Sequence, residues 1–343
     1  MQNRRAFCRT AALTAGATLG GTLLPDPSAS ASAATAPPRL ADASASGTTR
    51  GPAHVTSEKR VGGRAVDLTV ASPSMRRSLK VRLLLPRGWS RTARRTWPVL
   101  YVFHGGNCHY DAWTRNTDIA ELADRSDVIV VMPEGGYAGG YTDWWNYGFG
   151  GSPAWETFHL TELRVLLETR YRAGKRRAVV GQSTGGYGAL IYSARHPGMF
   201  RYAGAFSPFG STLTPGAPEV LMTGLTGLGP FTDKYAMWGN PAFQRSVWAA
   251  HDPVSQAARL RGTQLHISVA RNGRRGPLDP KDAQIVDPAE AFCWYTTKPL
   301  LARLEQLRIP VTTHLYEAGT HSWVYWQREL HRCWPTLMRV LGG

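Results

Sequence analysis

The chain is poor in cysteine, with four among its 343 residues: Cys8, Cys108, Cys293 and Cys333. Cys8 falls in a predicted export leader, so the remaining three allow at most one internal disulfide, and the sequence does not indicate which pair. No group of cysteines and histidines has the spacing of zinc ligands, so we expect no metal and no other cofactor. A disulfide-dense scaffold is excluded, and a hydrophobic core has to hold the fold.

The sequence also lacks a long hydrophobic run. Its most apolar N-terminal stretch, 11–24, is too short and too rich in Ala, Thr and Gly to span a bilayer. The stretch follows Arg4 and Arg5 and precedes the small-residue motifs at 29–33, a pattern typical of a twin-arginine signal peptide over residues 1–36. We therefore expect the mature protein to be secreted.

Acidic residues are scarce, because 24 Asp and Glu stand against 40 Lys and Arg, a formal charge of +16. The arginines occur in scattered pairs, such as Arg76-Arg77 and Arg94-Arg95, rather than on one basic helix or aromatic-interleaved stripe. This distribution argues against nucleic-acid binding. Two interpretations of the excess remain, a solvated arginine-rich surface and weak association with an anionic cell envelope.

From residue 66 onward, short apolar segments alternate with helical patterns. Residues 67–70 and 79–83 alternate apolar and polar side chains, as half-exposed antiparallel strands do, whereas Trp97–Phe103 is apolar throughout, as in a strand buried on both faces. Further strands are predicted at 128–132, 178–180, 203–207, 265–269 and 311–316, and helices at 118–123, 155–171, 288–307 and 322–341. The pattern predicts one α/β domain over residues 55–343, preceded by a disordered linker over 37–54, with a mostly parallel central sheet flanked by helices.

The segment 179–190 joins a β-branched run to an Ala/Leu-rich helical pattern through Gly181-Gln182-Ser183-Thr184-Gly185. This is the sequence form of a nucleophile elbow, in which a strand turns so sharply into a helix that the serine's neighbours must be small. The turn exposes Ser183 Oγ at a helix N-terminus, where backbone N–H groups favour developing negative charge. Ser183 is the predicted nucleophile.

Catalysis by a serine also needs a base and an acid that orients it, and in the α/β-hydrolase fold these follow in the order serine, acid, histidine. His321 is the predicted base, since it lies on the loop between the last strand and the last helix. The acid should follow the strand that ends near residue 269. Glu290 is the preferred candidate and Asp287 the alternative, with Asp279 and Asp282 also open, and both preferred residues would equally serve as helix caps.

An oxyanion hole requires two backbone N–H groups directed at one point. The first donor is predicted to be Thr184, the residue after the nucleophile. The second is predicted to be Gly106, in the His104-Gly105-Gly106 turn that follows another buried strand. Both donors then lie at the carboxyl ends of adjacent parallel strands, the edge where such sheets bind ligands.

With these residues assembled, the chain resembles the esterase family that includes the secreted mycolyltransferases of mycobacteria and corynebacteria, the antigen 85 proteins. The resemblance covers most of the mature chain. Its motifs include Ser72-Pro73-Ser74-Met75, Trp155-Glu156-Thr157-Phe158, Pro288-Ala289-Glu290 and Gly319-Thr320-His321-Ser322-Trp323 followed by Tyr325-Trp326. It implies a Ser/acid/His acyl-enzyme mechanism in which the acyl group passes to a sugar hydroxyl, commonly of trehalose.

The chain departs from this pattern at several positions, among them the relatives' paired cysteines before Trp155, which are absent here. The relatives' catalytic Glu corresponds to Cys293, one helical turn beyond Glu290, so either Glu290 or Asp287 substitutes or the triad is incomplete. The acidic and basic residues with which the relatives grip the sugar correspond to His104 and Asn107.

Trp323, two residues after the predicted base, is expected to line the substrate pocket.

The sequence therefore predicts a secreted, monomeric serine carboxylesterase or acyltransferase, with an acyl ester as donor and water or a sugar hydroxyl as acceptor. The alternative is a non-catalytic relative that binds cell-wall glycan or a matrix protein, for which Cys293 at the family's acid position is the motivation.

Overall fold

A computed structural model describes residues 51–227 and 233–342. The predicted signal peptide and most of the predicted linker lie outside the described residues. The strands are β1 (His54–Gly62), β2 (Ala65–Ser72), β3 (Arg77–Leu84), β4 (Trp97–Phe103), β5 (Ile129–Pro133), β6 (Ala173–Gln182), β7 (Tyr202–Phe206), β8 (Gln264–Ala270) and β9 (Val311–Tyr316).

The α-helices are α1 (Ala112–Asn116), α2 (Ile119–Asp124), α3 (Trp155–Thr157), α4 (Arg164–Arg170), α5 (Thr184–Arg195), α6 (Ala217–Gly227), α7 (Arg245–Ala250), α8 (Pro288–Gln306) and α9 (Trp323–Leu341). A π-helix, Phe158–Leu163, joins α3 to α4, so the helix predicted over 155–171 is continuous but contains a wider turn. Short 3₁₀ helices occur at Asn146–Gly148 and Ala257–Leu260.

All nine described strands form one sheet in the order β1-β2-β3-β5-β4-β6-β7-β8-β9. The first three strands and the β3–β5 pair are antiparallel, whereas β5, β4 and β6–β9 run parallel to one another. The predicted α/β-hydrolase fold with a mostly parallel sheet is confirmed. β1 was not predicted, and eight of its nine residues are exposed, so no alternation of apolar side chains marks it.

Two hydrophobic clusters cover the two faces of the sheet. One packs α4, α5 and α8 against it through residues such as Leu167, Leu190 and Leu300, and the other packs α1, α2 and α9 through residues such as Trp113 and Leu330. The continuous apolar run of Trp97–Phe103 is explained, because β4 is buried along its whole length. This packing fixes the carboxyl ends of the parallel strands, where the candidate site lies.

The three cysteines among the described residues are buried thiols, and none forms a disulfide. Of the helices in the described ranges, none has both the length and the apolar character that crossing a bilayer requires.

Candidate active site

Ser183 lies between the end of β6 and the first residue of α5, in a strained backbone conformation with φ 55° and ψ −123°. A residue with a Cβ rarely adopts a positive φ, and such strain occurs preferentially at functional sites. The flanking glycines are required by space, because a Cβ on Gly181 would overlap the carbonyl of Gly185, and one on Gly185 would overlap the carbonyl of Phe103. The segment therefore folds as the sharp strand-to-helix turn that its sequence predicts.

The loop after β4 is held by the side chain of His104, which is buried. Its Nε2 accepts a hydrogen bond from the Gly135 N–H at 2.8 Å, so Nδ1 carries the ring proton and donates it to the Gly105 carbonyl, also at 2.8 Å. The Tyr141 hydroxyl donates to the His104 carbonyl at 2.7 Å. His104 thus faces into the protein and supports the loop that carries Gly106.

The same loop packs directly against the elbow. A Cβ on Gly105 would lie 2.5 Å from Oε1 of Gln182, the residue that precedes Ser183. Phe103 on β4 pairs with Gly181 on β6, so the two strands end side by side. Gly106 and Thr184, the predicted oxyanion donors, accordingly lie at the same edge of the sheet.

His321 lies on the loop between β9 and α9, and its ring is oriented by a carboxylate. Its Nδ1 is 2.8 Å from Oε2 of Glu290, and its backbone N–H donates to Oδ2 of Asp287 at 2.9 Å. Burial alone would lower the pKa of His321. The hydrogen bond to Glu290 and the negative charges of Glu290 and Asp287 outweigh it, so the pKa is raised above the usual 6.5.

Glu290 is fully buried in α8 and held on both sides. Its Oε1 accepts hydrogen bonds from the Ser207 hydroxyl at 3.0 Å and from the Ala270 N–H at 2.8 Å, which leaves Oε2 for His321. Trp326 Nε1 in turn donates to Ser207 Oγ at 3.2 Å. The contacts made by Ser207 and Ala270 were not predicted, although both residues come at the carboxyl ends of parallel strands, where supporting groups for a site are expected.

The other candidate acids have different roles. Asp287 is the N-cap of α8, accepting from the N–H groups of Ala289 at 2.9 Å and Glu290 at 3.3 Å. Asp279 stabilises the histidine loop through Thr320 and the Tyr325 hydroxyl. Asp282 is exposed. Of the four, Glu290 is the carboxylate whose side chain contacts the imidazole.

Cys293 lies one turn after Glu290, with Sγ 3.9 Å from His321 Nδ1. Burial, together with the charges of Glu290 and Asp287, raises the pKa of this thiol well above its usual range. The thiol is therefore neutral and cannot replace a carboxylate as the partner of an imidazolium.

Backbone contacts connect the elbow to this cluster. The Ser183 N–H donates to the Phe206 carbonyl at 2.8 Å, and the next residue, Ser207, is the one that holds Glu290. Ser183 is partly accessible, as is His321. The nucleophile candidate thus follows β6 and the base candidate follows β9, and the ends of β7 and β8 between them hold Ser183 and Glu290.

Trp323 is half-buried and belongs to a group of indole rings beside His321. Its ring lies edge-to-face on Trp113 and Trp326, with centroids 5.2 Å and 5.1 Å away. Trp326 meets the His321 ring edge-to-face at 5.0 Å. An apolar wall is therefore present next to the imidazole.

Comparison with known proteins agrees with this architecture. The family model described as "Putative esterase" matches residues 72–337. The chain is 31% identical over 289 residues to the diacylglycerol acyltransferase/mycolyltransferase Ag85B of Mycolicibacterium smegmatis, covering 80% of this chain and 85% of that protein.

Solved structures show the same fold. MPT51 of Mycobacterium tuberculosis superposes with a TM-score of 0.67 at 23% identity, over 82% of this chain and 100% of that one. A ferulic acid esterase superposes with a TM-score of 0.61 at 23% identity, over 81% and 98%. The predicted resemblance to the antigen 85 proteins is confirmed, as is the prediction of a serine esterase or acyltransferase at the level of the family. The chain belongs to the esterase family and is an antigen 85-like member of it.

Proposed function

We propose that this protein transfers acyl groups from ester substrates through an acyl-enzyme on Ser183. Ser183 Oγ attacks the ester carbonyl carbon while His321 Nε2 accepts its proton. The N–H groups of Gly106 and Thr184 stabilise the oxyanion. Collapse of the tetrahedral intermediate breaks the ester C–O bond, and His321 returns the proton to the leaving alcohol. Water or an acceptor hydroxyl then attacks the acyl-enzyme while His321 Nε2 takes its proton, and His321 returns this proton to Ser183 Oγ as the acyl–serine bond breaks.

The observation that carries the proposal is the 2.8 Å contact between Glu290 Oε2 and His321 Nδ1. A carboxylate at this position keeps the proton on Nδ1, leaves Nε2 free to act as base, and stabilises the imidazolium that forms. Glu290 performs from one turn earlier on α8 the role that the resemblance assigns to position 293. The contact weighs against the non-catalytic alternative, whose motivation was Cys293 at the family's acid position, because a carboxylate lies beside the imidazole without any acid at position 293.

The inward orientation of His104 bears on the acceptor of the acyl group. Because this side chain points into the protein, it does not hold a sugar, and the acceptor is water or an alcohol that residue 104 does not bind. The resemblance implies an acidic side chain here that holds a sugar, whereas the His104 ring is engaged with Gly105 and Gly135. A competition between trehalose and water for the acyl group of a p-nitrophenyl ester tests this. We expect free acid to predominate, and acylated trehalose as the main product would contradict hydrolysis.

We further propose that residues 1–36 direct export by the twin-arginine route, that 37–54 form a linker, and that residues 55–343 act outside the cytoplasm as a monomeric catalytic domain. Trp323 is proposed to line the acyl pocket. The positive charge of +16 supports weak association with an anionic cell envelope. Fractionation of cells that express the full chain and its Arg4→Lys/Arg5→Lys variant tests export, since loss of both arginines should retain the protein in the cytoplasm.

A further inference from the structure

The Glu290–Cys293–His321 cluster has a second chemical property besides its proposed role in catalysis. A carboxylate oxygen, Sγ and Nδ1 of these residues all lie within 4.8 Å of one another. Within 51–227 and 233–342, no other group of three or more potential ligands among His, Cys, Asp and Glu is arranged in this way. Glu290 and Cys293 are three residues apart on one helix face, and His321 approaches from the opposing loop.

We infer that this cluster is an inhibitory binding site for one thiophilic divalent cation, such as Zn²⁺ or Cd²⁺. A thiolate, an imidazole nitrogen and a carboxylate oxygen are ligands that these ions prefer. A divalent cation with one thiolate, one carboxylate and one neutral imidazole carries no net charge, so its burial is much less costly than burial of the bare ion. The inference rests on the proposed function only for its inhibitory effect, not for binding.

The distances require little rearrangement. Zn²⁺ holds nitrogen and oxygen ligands at about 2.1 Å and sulfur at about 2.3 Å, which places neighbouring tetrahedral ligands roughly 3.3–3.6 Å apart. Nδ1 and Sγ are 3.9 Å apart, and Nδ1 and Oε2 are 2.8 Å apart, so the ring and the carboxylate would separate slightly and the thiol would approach. Oε1 of Glu290 keeps its bonds to Ser207 and Ala270, which hold the carboxylate in place.

Binding releases one proton. The Cys293 thiol loses its proton to solvent as the metal–sulfur bond forms, because a coordinating thiol is deprotonated by the metal. The neutral ring of His321 keeps its single proton but changes tautomer: Nδ1 gives up its proton as the metal–nitrogen bond forms, and Nε2 takes up one from solvent. That nitrogen is the proposed acceptor of the Ser183 proton, so the metal-bound histidine cannot act as base.

Titration of the protein with Cd²⁺ tests the inference, with the ultraviolet thiolate-to-Cd²⁺ charge-transfer band as the binding signal and p-nitrophenyl ester hydrolysis as the activity. Cys293→Ser removes the sulfur ligand, and Cys333→Ser is the matched control, because Cys333 is also buried but its Sγ contacts the Leu330 carbonyl in α9. Each variant is compared with its own metal-free rate.

We expect the band in the native protein and in Cys333→Ser but not in Cys293→Ser. Cd²⁺ at a concentration that saturates the band should lower the rate of the first two at least tenfold, and Cys293→Ser should need at least about tenfold more Cd²⁺ for the same inhibition. An equal band or equal inhibition in Cys293→Ser would overturn the inference. A Cys293-dependent band in a protein inert to esters would support the metal site and refute the proposed function. Ester turnover without any band would support the proposed function and refute the metal site.

Discussion

Glu290 and Cys293 lie one turn apart on α8 and approach the same nitrogen of His321, the carboxylate oxygen at 2.8 Å and the sulfur at 3.9 Å. The shorter contact belongs to the residue one turn before the position at which the resemblance places an acid. The imidazole therefore has a carboxylate partner, which lies one helical turn before the position that the resemblance indicates.

The assignment of the acid predicts unequal effects at these two positions. Glu290→Gln keeps the size of the side chain but removes the charge and permits the wrong histidine tautomer, so kcat should fall by about 10³–10⁴. Cys293→Ser leaves the carboxylate in place and should lose far less. Steady-state hydrolysis of a p-nitrophenyl ester, with circular dichroism to verify folding, compares them, and equal losses would refute Glu290 as the acid.

A transfer of the carboxylate by one helical turn should restore part of the lost activity. The double variant Glu290→Gln/Cys293→Glu places a longer acidic side chain where the thiol now lies 3.9 Å from Nδ1. We expect kcat at least about tenfold above that of Glu290→Gln alone, because a negative charge is returned to the side of the imidazole. A tenfold increase corresponds to about 1.4 kcal/mol of recovered transition-state stabilisation. Cys293→Gln in the same background is the uncharged control. Equal rates of the two double variants would show that the added charge does not reach the imidazole.

The raised pKa of His321 predicts a displaced pH profile. The acidic limb of kcat/KM should have its midpoint above pH 6.5, because only the neutral imidazole is a base. In Glu290→Gln the hydrogen bond and the charge are lost while burial remains, so the midpoint should move to lower pH. A midpoint that is the same in both proteins would contradict the proposed electrostatic coupling.

The same shift affects stability. Because the folded-state pKa is above the unfolded value, protonated His321 stabilises the native protein fully below the unfolded pKa, and this contribution is lost as the pH rises through the folded pKa. The decrease in unfolding free energy from pH 5 to pH 9 should therefore be larger in the native protein than in Glu290→Gln. Urea denaturation at both pH values measures this difference. A larger decrease in the unfolding free energy of the variant would contradict the stabilisation of protonated His321 by Glu290.

The proposed pocket predicts a dependence on acyl length at Trp323. Replacement by Ala removes an indole that packs on Trp113 and Trp326, so KM should rise more for longer acyl chains than for acetate. Trp323→Phe, which retains a ring, is the control and should preserve most of the selectivity. A uniform loss of kcat for every chain length would indicate instead that Trp323 acts by supporting Trp326 against His321.

Local signals predicted the elbow well, because Gly181 is required by a close backbone contact with Gly185 in the same turn. Gly185 also makes room for the Phe103 carbonyl of β4. The choice among the acids could not be made in this way. Asp287 and Glu290 belong to the same helical turn, and which one meets the imidazole depends on the rotation of α8 against the loop of His321. Spacing rules for zinc likewise do not detect a ligand set whose histidine is distant in sequence from its cysteine.

The orientation of His104 and the bonds from Ser207 and Ala270 to Glu290 also depend on packing between strands and loops. The exposed edge strand β1 carries almost no burial pattern, and the π-helix turn has the same apolar periodicity as an ordinary helix at this length. These features therefore depend on the tertiary fold and not on local sequence.

Acylation of Ser183 is the step on which the proposed mechanism depends. Rapid quenching of the native protein with a p-nitrophenyl ester, followed by mass spectrometry of its peptides, tests it most directly, with Ser183→Ala as the control. We predict an added acyl group on Ser183 in the native protein, and in the variant no adduct together with a rate lower by at least about 10³. An acyl group on another residue, or a variant that hydrolyses the ester at the native rate, would contradict Ser183 as the nucleophile.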